Sequence, residues 1–112
     1  MSEPVRIAHI SELPAEGEVK EFDLAGRTIC VANIDGQYHA MDNVCPHRGG
    51  FLGQGSVGHG YVICPWHGWQ FDPESGRAVQ NRTCKVDVYS LFIQDEQVLV
   101  QAKGVEAEIE TS

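Results

Sequence analysis

No apolar run in the 112-residue sequence approaches the roughly 20 residues that a membrane-spanning helix needs, so no such helix is expected. Basic residues are also scarce. Eight Lys and Arg against sixteen Asp and Glu leave a formal net charge of −8. Phosphate backbones demand Lys and Arg, so nucleic acid is not an expected partner, and an anionic membrane surface is disfavoured for the same reason. The first residues, Met1-Ser2-Glu3-Pro4, carry acid and proline where a secretory signal has a basic patch and an apolar stretch. A cytoplasmic location is the expectation. No 3.6-residue amphipathic stripe longer than two turns occurs, no segment repeats and none is of low complexity. There is no nucleophile–base pair in a supporting context and no phosphate-cradling glycine loop after a strand, so the chain is not expected to turn over a substrate alone.

What is present suits one domain, residues 1–112, with a modest hydrophobic core, since 42% of the residues are apolar. The acidity favours basic protein partners and fast, salt-sensitive encounters. It equally serves plain solubility.

The pattern is β-rich. Val5 to Ile10, Glu18 to Leu24 and Arg27 to Ile34 are strand candidates, the last through its β-branched Thr28, Ile29, Val31 and Ile34. Asp35-Gly36 separates this run from Gln37 to Met41, which predicts a two-residue hairpin with positive φ at both turn positions. Asp42 to Gly60 holds six glycines and predicts loop throughout. Tyr61-Val62-Ile63 and Trp69-Gln70-Phe71 are short strands around a second loop, and Pro73 to Gly76 is a turn. Lys85 to Gln94 reads as a long strand whose alternation slips near Ser90, predicting a bulge or a change of face. Asp95-Glu96 turns the chain into Gln97 to Gln101, and the acidic tail after Ala102 is expected to fray. The fold class is therefore all-β: the outer thirds, 1–42 and 73–112, pair as a basal part, and 43–72 forms a loop-rich insertion.

That insertion carries Cys45-Pro46-His47 and, sixteen residues on, Cys64-Pro65-Trp66-His67. Four cysteines in a secreted chain of this size would suggest disulfides; without a signal, metal binding is the better expectation. Two Cys and two His suit tetrahedral zinc, but zinc fingers usually pair like with like, whereas each loop here mixes thiolate and imidazole. A [2Fe–2S] centre with two cysteines on one iron and two histidines on the other needs that mixture.

Cys45-Pro46-His47-Arg48-Gly49-Gly50 and Cys64-Pro65-Trp66-His67-Gly68-Trp69-Gln70-Phe71-Asp72 resemble the two boxes of the Rieske family. The resemblance implies the Rieske fold, an antiparallel β-sandwich or incomplete barrel with a cluster-binding subdomain over 43–72. It also implies one [2Fe–2S] cluster held by Cys45, His47, Cys64 and His67. The chain length resembles the Rieske-type ferredoxins, cytoplasmic monomers that carry single electrons from a flavoprotein reductase to a terminal oxygenase. Short Rieske chains also occur as the small subunit of assimilatory nitrite reductase, partnered with a large subunit. The amino-terminal domain of an oxygenase shares the first box but needs a further catalytic domain, and a zinc-stabilised binding module would carry no redox role.

The departures from the family carry information. High-potential members have an extra cysteine in each box, joined as a disulfide; Gly50 and Trp66 stand at those positions. Their serine and tyrosine donors to the sulfurs correspond to Trp69 and Phe71, which have no hydroxyl. Fewer donors imply a potential toward the lower end of the family's range of roughly −150 to +300 mV. The proline-rich third wall of many members has no counterpart in Val79-Gln80-Asn81-Arg82-Thr83. Trp66, Trp69 and Phe71 serve as hydrophobic cover for the cluster or as a docking platform, and Arg48 as a docking guide or the partner of an acid. Cys30 and Cys84 read as small buried or half-buried strand residues, and His9, His39 and His59 as surface or turn residues.

Overall fold

The structure, a computed structural model, describes residues 4–45, 50–65 and 68–102. Its strands are β1 (Val5–His9), β2 (Val19–Leu24), β3 (Arg27–Ile34), β4 (Gln37–Asp42), β5 (Ser56–Gly58), β6 (Tyr61–Ile63), β7 (Gln70–Phe71), β8 (Val88–Gln94) and β9 (Gln97–Ala102). Six of them form one antiparallel sheet in the order β1-β9-β8-β4-β3-β2. Its edge strands β1 and β2 pack against each other, so the sheet curls into a nearly closed barrel. Such curling shields unpaired edges. The other three strands make a small sheet, β5-β6-β7, inserted between β4 and β8.

Two-residue turns fix the registers. Asp35 and Gly36 have φ of 55° and 84° between the paired Ile34 and Gln37, the geometry that the Asp-Gly step predicts. Ala25-Gly26, His59-Gly60 and Asp95-Glu96 take the same positive-φ form. The first turn is braced by Asn33, whose Oδ1 accepts the Gly36 N–H at 3.0 Å while its Nδ2 donates to the Pro14 carbonyl at 3.1 Å.

Strand β3 explains where the insertion sits. Alternate side chains of a strand face opposite ways. Ile29 and Val31 enter the barrel core with Phe22, Ala40, Tyr89, Val98 and Val100. Cys30, Ala32 and Ile34 point outward, where they are covered by Leu52, Val62 and Phe71 of the insertion. Burial on both faces matches the unbroken apolar run from Ile29 to Ala32.

Four expectations need correction. The stretch 42–60 is not all loop: it contains a 3₁₀ turn, Leu52–Gln54, and β5, whose strand character comes from pairing with β6. The strand expected from Lys85 begins only at Val88, because the chain first answers to residues 76 and 77 through the Arg77–Lys85 bridge and the Val86 N–H···O Gly76 bond. No bulge occurs at Ser90. The ladder to β9 is unbroken from Tyr89↔Ala102 to Gln94↔Gln97, and the irregularity lies in β1 between Arg6 and Ala8. The slip in alternation reflects the exposed apolar pair Phe92 and Ile93 rather than the backbone. Cys84, too, precedes the bridge at Lys85 instead of opening a strand. Among the described residues no helix is long and apolar enough to cross a membrane. The tail from residue 103 lies outside the described residues.

Candidate metal centre

Two loops rise from the insertion, and both are closed in the same way. The first begins at Cys45, just after β4, and the Cys45 N–H donates to the Gly50 carbonyl at 2.7 Å. The second begins at Cys64, just after β6, and the Cys64 N–H donates to the Trp69 carbonyl at 2.8 Å. Each is thus a six-residue loop with cysteine at its root. Below the first, the Val44–Phe51 bridge and the Leu52 N–H···O Asn43 bond of 2.6 Å continue the closure. Below the second, the Ile63↔Gln70 and Val62↔Phe71 pairs do so. The tips, Pro46 to Gly49 and Trp66 with His67, lie outside the described residues, and with them the expected ligands His47 and His67.

The loops are held close together. A Cβ on Gly55, which follows the first loop, would lie 2.0 Å from the carbonyl oxygen of Ile63, which precedes Cys64. Only glycine permits that approach. Cys45 and Cys64 are fully buried in one core with Met41, Leu52, Val62 and Phe71. Among the described residues, which include all four cysteines, no disulfide is formed. Two thiols rooted in adjacent loops over an apolar floor fit a metal that prefers thiolate, and the donor chemistry suits the cysteine-ligated iron of a mixed-ligand [2Fe–2S] cluster.

The aromatic residues separate. Phe71 is fully buried and forms part of the floor, so it is cover and not docking surface, and the half-buried Trp69 packs against the same core. Trp66 and Arg48 lie outside the described residues. Val44 and Phe51 at the root of the first loop are 53% and 46% exposed and present an apolar surface.

The proline-free segment 79–83 begins along β7. The Val79 N–H donates to the Gln70 carbonyl at 2.8 Å and the Gln70 N–H to Gln80 Oε1 at 3.0 Å, which lays residues 78–80 along β7. Asn81 turns the chain back, accepting from the Thr83 N–H at Oδ1 and the Cys84 N–H at its carbonyl. The half-buried Cys84 packs against the sulfur-lined core, and burial followed by the nearby Cys45 pushes its thiol above the usual 9.0. Cys30 is fully buried, as expected; burial and then Glu21 push its thiol up to about 12. His9 accepts the Ser11 N–H at 3.1 Å and His59 sits exposed in its turn. Among the described residues no three His, Cys, Asp or Glu side chains gather to hold a metal.

Sequence reading passed over Asn43. It is only 2% exposed, two residues before Cys45, and hydrogen-bonded through both ends of its amide. A polar residue beside a ligand box carries no local signal, because its partners come from β2 and from residue 53.

Known proteins share this arrangement. The family model described as the Rieske [2Fe-2S] domain matches residues 3–98. The ferredoxin component of the alkene monooxygenase system of Xanthobacter autotrophicus is 29% identical over 86 residues, covering 76% of this chain and 70% of its own. Several other relatives are far longer, and the matches cover 11% to 26% of their length. The solved ferredoxin of carbazole 1,9a-dioxygenase from Nocardioides aromaticivorans superposes with a TM-score of 0.77 at 28% identity, covering 89% of this chain and 98% of that one. A putative NADH-dependent nitrite reductase small subunit from Mycobacterium tuberculosis shares the fold, with a TM-score of 0.81 at 21% identity over 92% and 97% of the two chains. The nearly closed antiparallel barrel, the paired cysteine-rooted loops and a match spanning most of the sequence lead to one conclusion: the chain belongs to the Rieske [2Fe-2S] domain family, whose cofactor is a single [2Fe–2S] cluster.

Proposed function

We propose that this protein is a one-electron carrier, without catalytic turnover of its own, that takes electrons from a flavoprotein reductase and delivers them to a terminal oxygenase. The observation that carries the reading is the pair of matched loops, each closed by its cysteine N–H and each rooted in the same apolar floor. In this reading Cys45 and Cys64 would hold one iron, and His47 and His67, third and fourth along their loops, would hold the other. Bound there, the cluster supplies a centre that gains and loses one electron. The chain keeps that change small in structural terms: both loops are pinned at their roots, and Gly55 locks them together. Exposed Val44 and Phe51 at the base of the first loop give a partner apolar surface beside the site.

The likeness to ferredoxin components of oxygenase systems supports this role. The same reading takes the protein as a monomer working in the cytoplasm, with residues 43–72 as the cluster-binding part and 1–42 with 73–112 as the basal part. The same fold occurs in a nitrite reductase small subunit, and the second reading is a subunit of a larger reductase. Isolation separates the two, since a free carrier purifies alone and a subunit with its large partner.

The decisive experiment is an electron paramagnetic resonance spectrum after dithionite reduction, with iron and acid-labile sulfide analysis. A rhombic signal of the mixed nitrogen–sulfur type is expected, lost in Cys45→Ser and Cys64→Ser and altered in His47→Cys and His67→Cys. Zinc without iron, or an unchanged signal in a histidine variant, refutes the assignment.

A further inference from the structure

Both ends of the Asn43 side-chain amide are bonded where the first loop closes. Its Oδ1 accepts the Gly53 N–H at 2.7 Å and its Nδ2 donates to Glu21 Oε2 at 2.9 Å, while its main-chain carbonyl takes the Leu52 N–H. The same Glu21 oxygen accepts Gln54 Nε2 at 3.3 Å. Both limbs of the loop, entering at Asn43 and leaving at Gly53 and Gln54, are therefore tied to one carboxylate on barrel strand β2. The packing leaves no slack: a Cβ on Gly53 would lie 2.3 Å from Glu21 Cγ and 2.8 Å from Asn43 Oδ1.

Partly burying a carboxylate opposes folding unless it is well bonded, and an apolar group of similar shape would serve stability as well. The charge reaches further than its bonds. Glu21 lies opposite Cys30 in the β2–β3 ladder, Cys30 shares its core with Cys45 and Cys64, and burial first and then the Glu21 charge push the Cys30 thiol up. A negative charge felt in that core opposes the arrival of an electron.

Resting on the assignment of Cys45 as a ligand, we propose that Asn43 is a positioning residue for the first ligand loop, and that Glu21 anchors it and biases the site toward the oxidised state. The two contributions separate by substitution. Glu21→Gln keeps an oxygen for Asn43 Nδ2 but removes the charge. Asn43→Ala removes both amide bonds and leaves the Gly53 N–H and Glu21 without this partner.

The test uses the holoprotein, with far-UV circular dichroism for the fold, paramagnetic resonance of the reduced form, the reduction potential by spectroelectrochemistry, and the rate of iron release to a chelator. Wild-type protein must first give the mixed-ligand signal; its absence fails the ligand assignment, not the role of Asn43. Glu21→Gln is expected to retain the fold and the signal while its potential moves in the positive direction. Asn43→Ala is expected to alter the signal and to release iron about tenfold faster. A wild-type potential in Glu21→Gln overturns the electrostatic role. A wild-type signal and release rate in Asn43→Ala overturn the positioning role. If Asn43→Ala does not fold, Glu21→Ala decides the matter: faster release supports positioning by the network, and an unchanged rate overturns it.

Discussion

Replacing Gly55 with alanine tests how the two ligand loops are held together. The backbone there has φ −91° and ψ −134°. The new Cβ would meet the Ile63 carbonyl oxygen at 2.0 Å and Pro65 Cδ at 3.1 Å. Ile63 cannot easily retreat, since β6 is paired on both sides, to Ser56 and to Gln70. Overpacking of this kind costs about 1–3 kcal/mol. Glycine-to-alanine replacement returns about 0.4–1 kcal/mol through the unfolded chain. A net loss of about 1–2 kcal/mol corresponds to a melting temperature lower by about 4–16 °C in a domain of this size. The displaced carbonyl lies next to Cys64, so iron per chain at isolation should fall as well. Gly60→Ala is the control: its φ of +84° imposes backbone strain, but nothing lies within 4 Å of the added carbon, so melting falls while iron content stays full. A Gly55→Ala protein melting within about 2 °C of wild type, with its iron complete, refutes the close-approach argument.

Three further outcomes follow from the geometry. Phe71→Ala empties the largest fully buried side chain under Cys45 and Cys64 and should cost about 3–5 kcal/mol in urea denaturation, with loss of the cluster absorbance. Tyr89→Phe removes the 2.6 Å hydroxyl bond to Asp42 Oδ1, which also has Arg27 Nε at 3.6 Å, and should lower stability by about 1.5–3 kcal/mol in the same assay. Stability should fall as pH rises above 9, because the unfolded Cys30 thiol releases its proton near 9.0 while the folded one keeps it to about 12; Cys30→Ala should flatten that decline in melts compared at pH 8 and pH 10.

What the sequence reveals depends on how local the cause is. The Asp35-Gly36 turn and the span of β3 are set by residues adjacent in the chain, and they are found where the sequence places them. Strand β5 is invisible in a glycine-rich stretch because Ser56–Gly58 becomes a strand only by lying against Tyr61–Ile63. The delayed start of β8 has the same character: residues 85–87 are claimed by contacts from 76, 77 and 42 before the barrel ladder begins. Phe92 and Ile93 mislead in the opposite sense, since apolar pattern implies burial and these two are exposed. At the site, the cysteines are legible because metal chemistry restricts residue type and spacing. Asn43, Glu21 and Gly55 are not, because their roles arise from approaches across the fold.

The position of the insertion also bears on how the molecule is made. Strand β4 has its sheet neighbour β8 only after the whole stretch from residue 43 to 87 has passed, and β1 finds its partner only when β9 arrives. Pairings so distant along the chain are slow to form. During synthesis both cysteine boxes therefore leave the ribosome before their supporting barrel can close. Assembly of the iron centre must either wait for the last strand or begin on a scaffold still open at its seam, and in the second case the metal itself would help draw the barrel shut.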